Sequence, residues 1–224
     1  MQSGVYEVCG RYGRPSPEKI FLLLFLLLTV ASGDALAVEK PSGRLTVARG
    51  EVICKKPGAG NARAVRPGDA VFVGDLIETG KDSRGQVVLA DDSVITLSPQ
   101  SAVRVDQFAF DASTDRRTAV VNVVGGRARV IVFKERNRES GFKVVTSNAI
   151  ASFSLADIVA VADAAGTTLA VLDGGVSVKN RWYLAVGEVR LADNQMTFVK
   201  GKDSPTVPAI ITEKQRRMYI KDVN

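Results

Sequence analysis

Not one of the 224 residues is histidine. A Ser-His-Asp triad, a Cys-His dyad and a His-ligated zinc are therefore excluded. Cysteine occurs twice, too few for a four-thiolate zinc site or an iron–sulfur cluster. Aromatic residues make up only 6%, with one Trp, and no stacking motif for nucleic acid is present. The one long apolar run, Ile20–Ala31, falls short of the roughly 20 residues a membrane helix needs. What remains is 46% hydrophobic and 24% charged, with 20 Gly and a net charge of +6. That composition excludes wholesale disorder and collagen, and the length allows one domain or two small ones.

Residues 1–19 carry Arg11, Arg14 and Lys19 against Glu7 and Glu18. The uncharged run follows, then Ser32, Gly33, Asp34 and Ala35-Leu36-Ala37. A basic start, a short apolar stretch and an A-x-A site predict a secretory signal peptide over 1–37, cleaved after Ala37; an uncleaved anchor is the alternative. The expected mature chain is exported, periplasmic or secreted, with no membrane span. Cleavage removes three basic and three acidic residues, so the net charge of +6 is kept. It also removes Cys9, leaving Cys54 without an internal disulfide partner. Cys54 alternates with Val52, which predicts a buried, inert thiol; an intermolecular disulfide is the alternative.

The body consists of short runs rich in Val, Ile, Leu and Thr, separated by Gly, Asp, Asn and Pro. Gln86–Leu89 and Val94–Leu97 flank Asp91-Asp92, a hairpin turn in which Asp tolerates positive φ. Val103–Asp106 and, after Gly125-Gly126, Ala128–Val132 alternate in polarity. Thr168–Leu172 and Val176–Lys179 flank Asp173-Gly174-Gly175. Period-two patterning with a turn signal every 8–12 residues predicts an all-β fold. The expected form is a rolled or stacked antiparallel sheet, sandwich- or solenoid-like, over residues 38–204. A short helical tail over 205–224 follows Pro205 and Pro208, with Thr212 and Gln215 as a capping box.

Over residues 69–180 the turns form an ordered string. It runs through Val73-Gly74-Asp75-Leu76-Ile77-Glu78-Thr79-Gly80, Ser83–Asp91 and Ser93–Ser101. It continues with Val124–Ala128, Phe142–Ser147 and Thr168–Val178. This string resembles the FecR domain family. Two places depart from the family pattern. Asp91-Asp92-Ser93 stands where Asp-Gly-Ser is usual, and Leu155-Ala156 stands where a Gly-Thr pair is usual. The resemblance implies an all-β, non-catalytic module; no cofactor or metal site is expected. In the best-known members it lies in the periplasm, is joined through a membrane helix to a cytosolic sigma-factor regulator, and receives a signal from an outer-membrane transporter. This chain is expected to be a stand-alone exported member. Its family-motif turn positions are Gly74, Asp75, Thr79, Gly80, Asp91, Ser93, Gly126, Thr146 and Gly174.

Asp69, Asp75, Asp82, Asp91 and Asp92 lack the spacing of a calcium loop and read as turn residues. Nothing selects two of them as a glycosidase pair. Gly58-Ala59-Gly60 lacks the Lys-Ser/Thr ending of a phosphate loop and reads as a hairpin tip. Basic residues gather at Arg116, Arg117, Arg127, Arg129, Arg136 and Arg138. Arg127 and Arg129 share a strand face. Such a cluster is either a patch for an anionic envelope polymer or a set of charges guarding strand edges. Trp182 and Tyr183 sit at a turn, as a partner anchor or a half-buried edge of the core. The leading expectation is a non-enzymatic, protein-binding or signal-relay module that recruits another envelope protein through a sheet edge or turn row. The alternative is a structural envelope protein that binds anionic polymer through the basic cluster. Nucleic acid is not expected as a partner.

Overall fold

The computed structural model describes residues 39–58, 62–134, 136, 137, 139–182 and 187–223. The expected signal segment, most of the Gly58-Ala59-Gly60 tip, Arg138 and Tyr183 lie outside these residues.

Between Gly43 and Ile220 the chain forms β1 (Gly43–Arg49), β2 (Val52–Lys55), β3 (Ala62–Ala64), β4 (Ala70–Val71), β5 (Leu76–Thr79), β6 (Arg84–Leu89), β7 (Val94–Leu97), β8 (Ala102–Asp111) and β9 (Arg116–Val132). There follow β10 (Gly141–Val145), β11 (Ala149–Phe153), β12 (Ala156–Asp163), β13 (Gly166–Gly174), β14 (Val176–Asn180), β15 (Glu188–Leu191), β16 (Gln195–Val199), β17 (Ala209–Ile210) and α1 (Glu213–Ile220). The fold is all-β with one short C-terminal helix, as the alternation predicts.

The pairings form two layers. One sheet has the order β17–β16–β13–β12–β9–β7–β6–β1–β4. The other has the order β3–β2–β5–β8–β9–β10–β11–β14–β15. Every pair is antiparallel except β9–β10, which runs parallel from Gly141↔Thr118 to Val145↔Asn122. After β9 the strands alternate between layers two at a time.

β9 belongs to both layers. Its first half pairs β8 and β10, and from Gly126 onward it pairs β7 and β12. Read in sequence, Gly125-Gly126 opens a strand; here it is a bend inside one strand of 17 residues. Gly126 has φ +79°, and a Cβ there would stand 2.5 Å from the Gln100 carbonyl oxygen. Glycine lets the strand change layers without breaking. Gly174-Gly175 is likewise a corner and not a hairpin, since β13 and β14 pair with different layers.

The core lies between the layers. Leu45, Ile95, Leu97 and Val130 from one side are buried with Val103, Val121, Val144 and Val178 from the other. Phe142 and Phe153 stack at 5.4 Å. Each such side chain contributes about 1.5–3 kcal/mol on burial. Cys54 is part of this core and is a free thiol.

Both departures from the family pattern have a local explanation. Asp92 takes φ +71° in the β6–β7 turn, the conformation a glycine would supply. Ala156 pairs directly with Gly174, whose own missing side chain provides the close approach.

Candidate interaction surface

Arg117 begins at the second residue of β9 and points inward. Its side chain is 1% exposed and that of its partner Asp91 is 0% exposed. One guanidinium nitrogen donates to Asp91 Oδ2 at 3.0 Å and another to the Ser154 carbonyl at 2.7 Å. The Arg117 backbone N–H donates to Ser140 Oγ, and the guanidinium stands 5.7 Å from the Phe142 ring centroid. Asp91 also accepts from the Ser93 N–H and hydroxyl. One buried cation thus joins the β6–β7 turn, the β9–β10 connection and the β11–β12 corner. It does not face a solvent-borne partner, contrary to its place in the sequence-predicted basic patch.

The rest of that patch is interleaved with acids. Arg136 donates to the Asp91 carbonyl at 2.8 Å, pairs with Asp115 and lies 4.7 Å from the Phe110 ring centroid. Lys134 pairs with Asp92, and Arg116 pairs with Glu139 at 3.1 Å. The hydrogen bond and charge of Lys134 hold the Asp92 carboxyl below its usual range. These acids come from three separate segments, so the linear sequence shows the cations massed and the structure shows them paired.

Arg127 and Arg129 do share a face, and it faces the tail. Arg127 donates to the Met218 carbonyl at 2.8 Å. Arg129 grips Asp157 with two nitrogens, at 2.9 and 2.8 Å, and reaches the Val223 carbonyl. Orphan carbonyls and the negative end of a helix dipole are the natural partners of such cations. At its other end α1 has the predicted capping box. Thr212 Oγ1 accepts from the Gln215 N–H, and the Gln215 side chain accepts from the Thr212 N–H. Ile211 and Tyr219 then cover Val159, Ala170 and Leu172 on the outside of the first sheet.

The family-motif positions serve the turns. Gly74 has φ +86°, and its N–H donates to the Val105 carbonyl at 2.7 Å. Asp75 is buried and accepts from the Phe72 N–H at 3.0 Å. Thr79 donates to the Ser98 carbonyl at 2.6 Å and accepts from the Ser101 N–H. The Gly80 N–H donates to the Glu51 carbonyl at 2.9 Å. Thr146 meets Thr167 at 2.8 Å in full burial.

Two surface features stand apart from this scaffolding. The first is an edge. β8 pairs with β5 only through Ala102–Arg104. Gln107–Asp111 bond to β9 on one side, and among the described residues no strand pairs with them on the other. Phe108, Ala109 and Phe110 line a small hollow of about 250 Å³ beside it, with Lys40 and Pro41. The second is Trp182, 48% exposed at the end of β14.

Residues 75–177 match the family model described as FecR protein. Among curated proteins none matches the chain. Two crystal structures of a "putative anti-sigma factor" from Parabacteroides distasonis ATCC 8503 share the fold, at TM-scores of 0.51 and 0.50 and 18% identity. They cover 65% of this chain, which in turn spans 63% and 64% of theirs, a little under two thirds of their length. Over residues 75–177, a little under half of its length, this chain is similar to the FecR family.

Proposed function

We propose that this chain is a non-enzymatic signal-relay module of the cell envelope, exported by cleavage after Ala37, that docks a protein partner by strand addition along Gln107–Asp111 of β8. The observation that carries the reading is that free edge. It lies inside the family-matched stretch, whereas β3, β15 and β17 lie outside it. An unpaired row of N–H and C=O groups gives affinity, and the hollow lined by Phe108 and Phe110 gives alternate side chains a place to sit. The FecR match and the anti-sigma description of the similar structures support a relay role. The lack of histidine supports a non-enzymatic one, as does the commitment of Asp75 and Asp91 to structural hydrogen bonds.

The test is a photo-crosslinking amino acid placed at Gln107 or Ala109, both exposed, in the native envelope. One dominant protein adduct is expected from these positions and none from Arg63 in β3 or Ala209 in β17. Adducts from β3 or β17 with none from β8 overturn the docking edge. The alternative reading, an anionic polymer on the Arg116–Arg138 cluster, finds Arg116, Arg117, Arg129 and Arg136 already paired with acids there.

A further inference from the structure

We propose that the outer face of β10, β11, β14 and β15, together with Trp182, binds an acidic polysaccharide. This site is independent of the β8 edge. Along β10 and β14 burial alternates strictly around the charged residues. Phe142 and Val144 face the core and Lys143 faces out; Val178 and Asn180 are buried and Lys179 faces out. Register fixes a row across the sheet, Lys143↔Ser152, Ser152↔Ser177 and Ser177↔Arg190. Directly paired residues point to one face, so the row spans three strand spacings, about 14 Å. Lys179 lies two residues along β14, beside Ile150 and Glu188. Lys143, Lys179 and Arg190 form no ion pair among the described residues, in contrast to the cations of the sequence-predicted cluster. The one acid on this face among the described residues, Glu188, accepts a hydrogen bond from the Ser177 hydroxyl.

Trp182 stands at the end of the same strand, where a buried hub fixes the turn. Asn180, 4% exposed, accepts from the Trp182 N–H at 2.8 Å. Its amide nitrogen donates to the Gly201 and Asp203 carbonyls at 3.0 and 2.7 Å. Arg181 is tied to the Thr146 carbonyl at 3.2 Å, and Lys202 Nζ lies 5.0 Å from the indole centroid. The hub holds an exposed aromatic plane beside two cations, lining a notch of about 390 Å³ with Lys179 and Ile150 and with Glu188, whose single negative charge is outnumbered there by Lys179, Arg181 and Lys202. A sugar ring presents an apolar C–H face to such a plane and its acid groups to the flanking ammonium and guanidinium groups. A chain of such units follows β14 from the notch to the Lys143–Arg190 row. The setting of the indole in a notch and the spread of cations across four strands favour this extended ligand over a bilayer.

Trp182 is the only tryptophan, so its emission reads the site directly. The probe is polygalacturonate oligomer added to the purified protein, with maltoheptaose as the neutral control and phosphatidylglycerol vesicles as the membrane control. The expected result is a saturable emission shift with polygalacturonate alone, weakening as salt rises. Combined Lys143→Ala, Lys179→Ala and Arg190→Ala should weaken it at least tenfold, and Trp182→Phe should weaken binding measured by calorimetry. Arg116→Ala with Lys134→Ala should leave it unchanged. All these side chains are exposed, so the fold tolerates their loss. No response to polygalacturonate, an equal response to maltoheptaose, a triple variant that binds like the parent, or a response confined to the vesicles overturns the proposal.

Discussion

Arg117 carries a full charge into a site where it is 1% exposed, against Asp91 at 0%. Desolvating both charges costs several kcal/mol, which the pair offsets through further hydrogen bonds to Ser154 and Ser93, although the buried Arg117 Nε has no partner. Removing one partner strands the other. Arg117→Ala is therefore expected to lower stability by about 3–5 kcal/mol in urea unfolding. A loss under 1 kcal/mol would show that the pair holds little. The sequence offers no sign of this role, because Asp91 lies 26 positions away and an arginine in a basic run reads as surface. Cys54 was legible, since it alternates with Val52 on a strand. Burial, with Asp75 nearby, pushes its thiol up to about 11. A folded value above the unfolded one, about 8.5, favours the protonated form. The stability this contributes is present below the unfolded value and lost as pH rises through the folded one. At pH 8 native Cys54 should resist iodoacetamide and react once urea unfolds the chain; labelling of the native protein at the unfolded rate would contradict this.

At the scale of elements, the β8–β9 hairpin ends in an Asp111 turn. Asp111 accepts from the Ser113 N–H and from the Ser113 and Thr114 hydroxyls, and these bonds hold its carboxyl near a pKa of about 2. The folded value is depressed, so its contribution is present above the unfolded value of about 3.9 and lost as pH falls through about 2. Protection of the Ser113 amide from exchange should hold at pH 4 and fall away toward pH 2; protection unchanged at pH 2 would refute the turn. α1 is a second separable element. It is too short to persist alone and rests on one small cluster with Tyr219 at its centre. Tyr219→Ala, at about 3 kcal/mol, should release the tail to trypsin at Lys214 to Arg217 while the two sheets resist. Simultaneous digestion of the whole chain would contradict that. The capping box and the Asp91-Asp92 hairpin were readable because both are local. Gly125-Gly126 and Gly174-Gly175 were not, since a turn signal marks a bend without naming the layer that receives the next strand.

Among the described residues the molecule is two open sheets that share β9. An open sheet leaves edges, and the prolines and charges near β17 and β15 guard theirs. Pro208 precedes Ala209–Ile210, and Glu188 and Arg190 alternate along β15. Gln107–Asp111 carry no such guard until Asp111 itself. The sequence supported strand addition in general, but not this edge, because edges are a property of topology and not of pattern. Among the described residues no helix is long and apolar enough to cross a membrane. Backbone hydrogen exchange at Gln107–Asp111, measured alone and with the crosslinked partner added back, tests the docking edge most directly. Exchange at the outward-facing amides should be fast in the free chain and slowed at least tenfold in the complex. Protection elsewhere with none at Gln107–Asp111 would contradict docking at this edge.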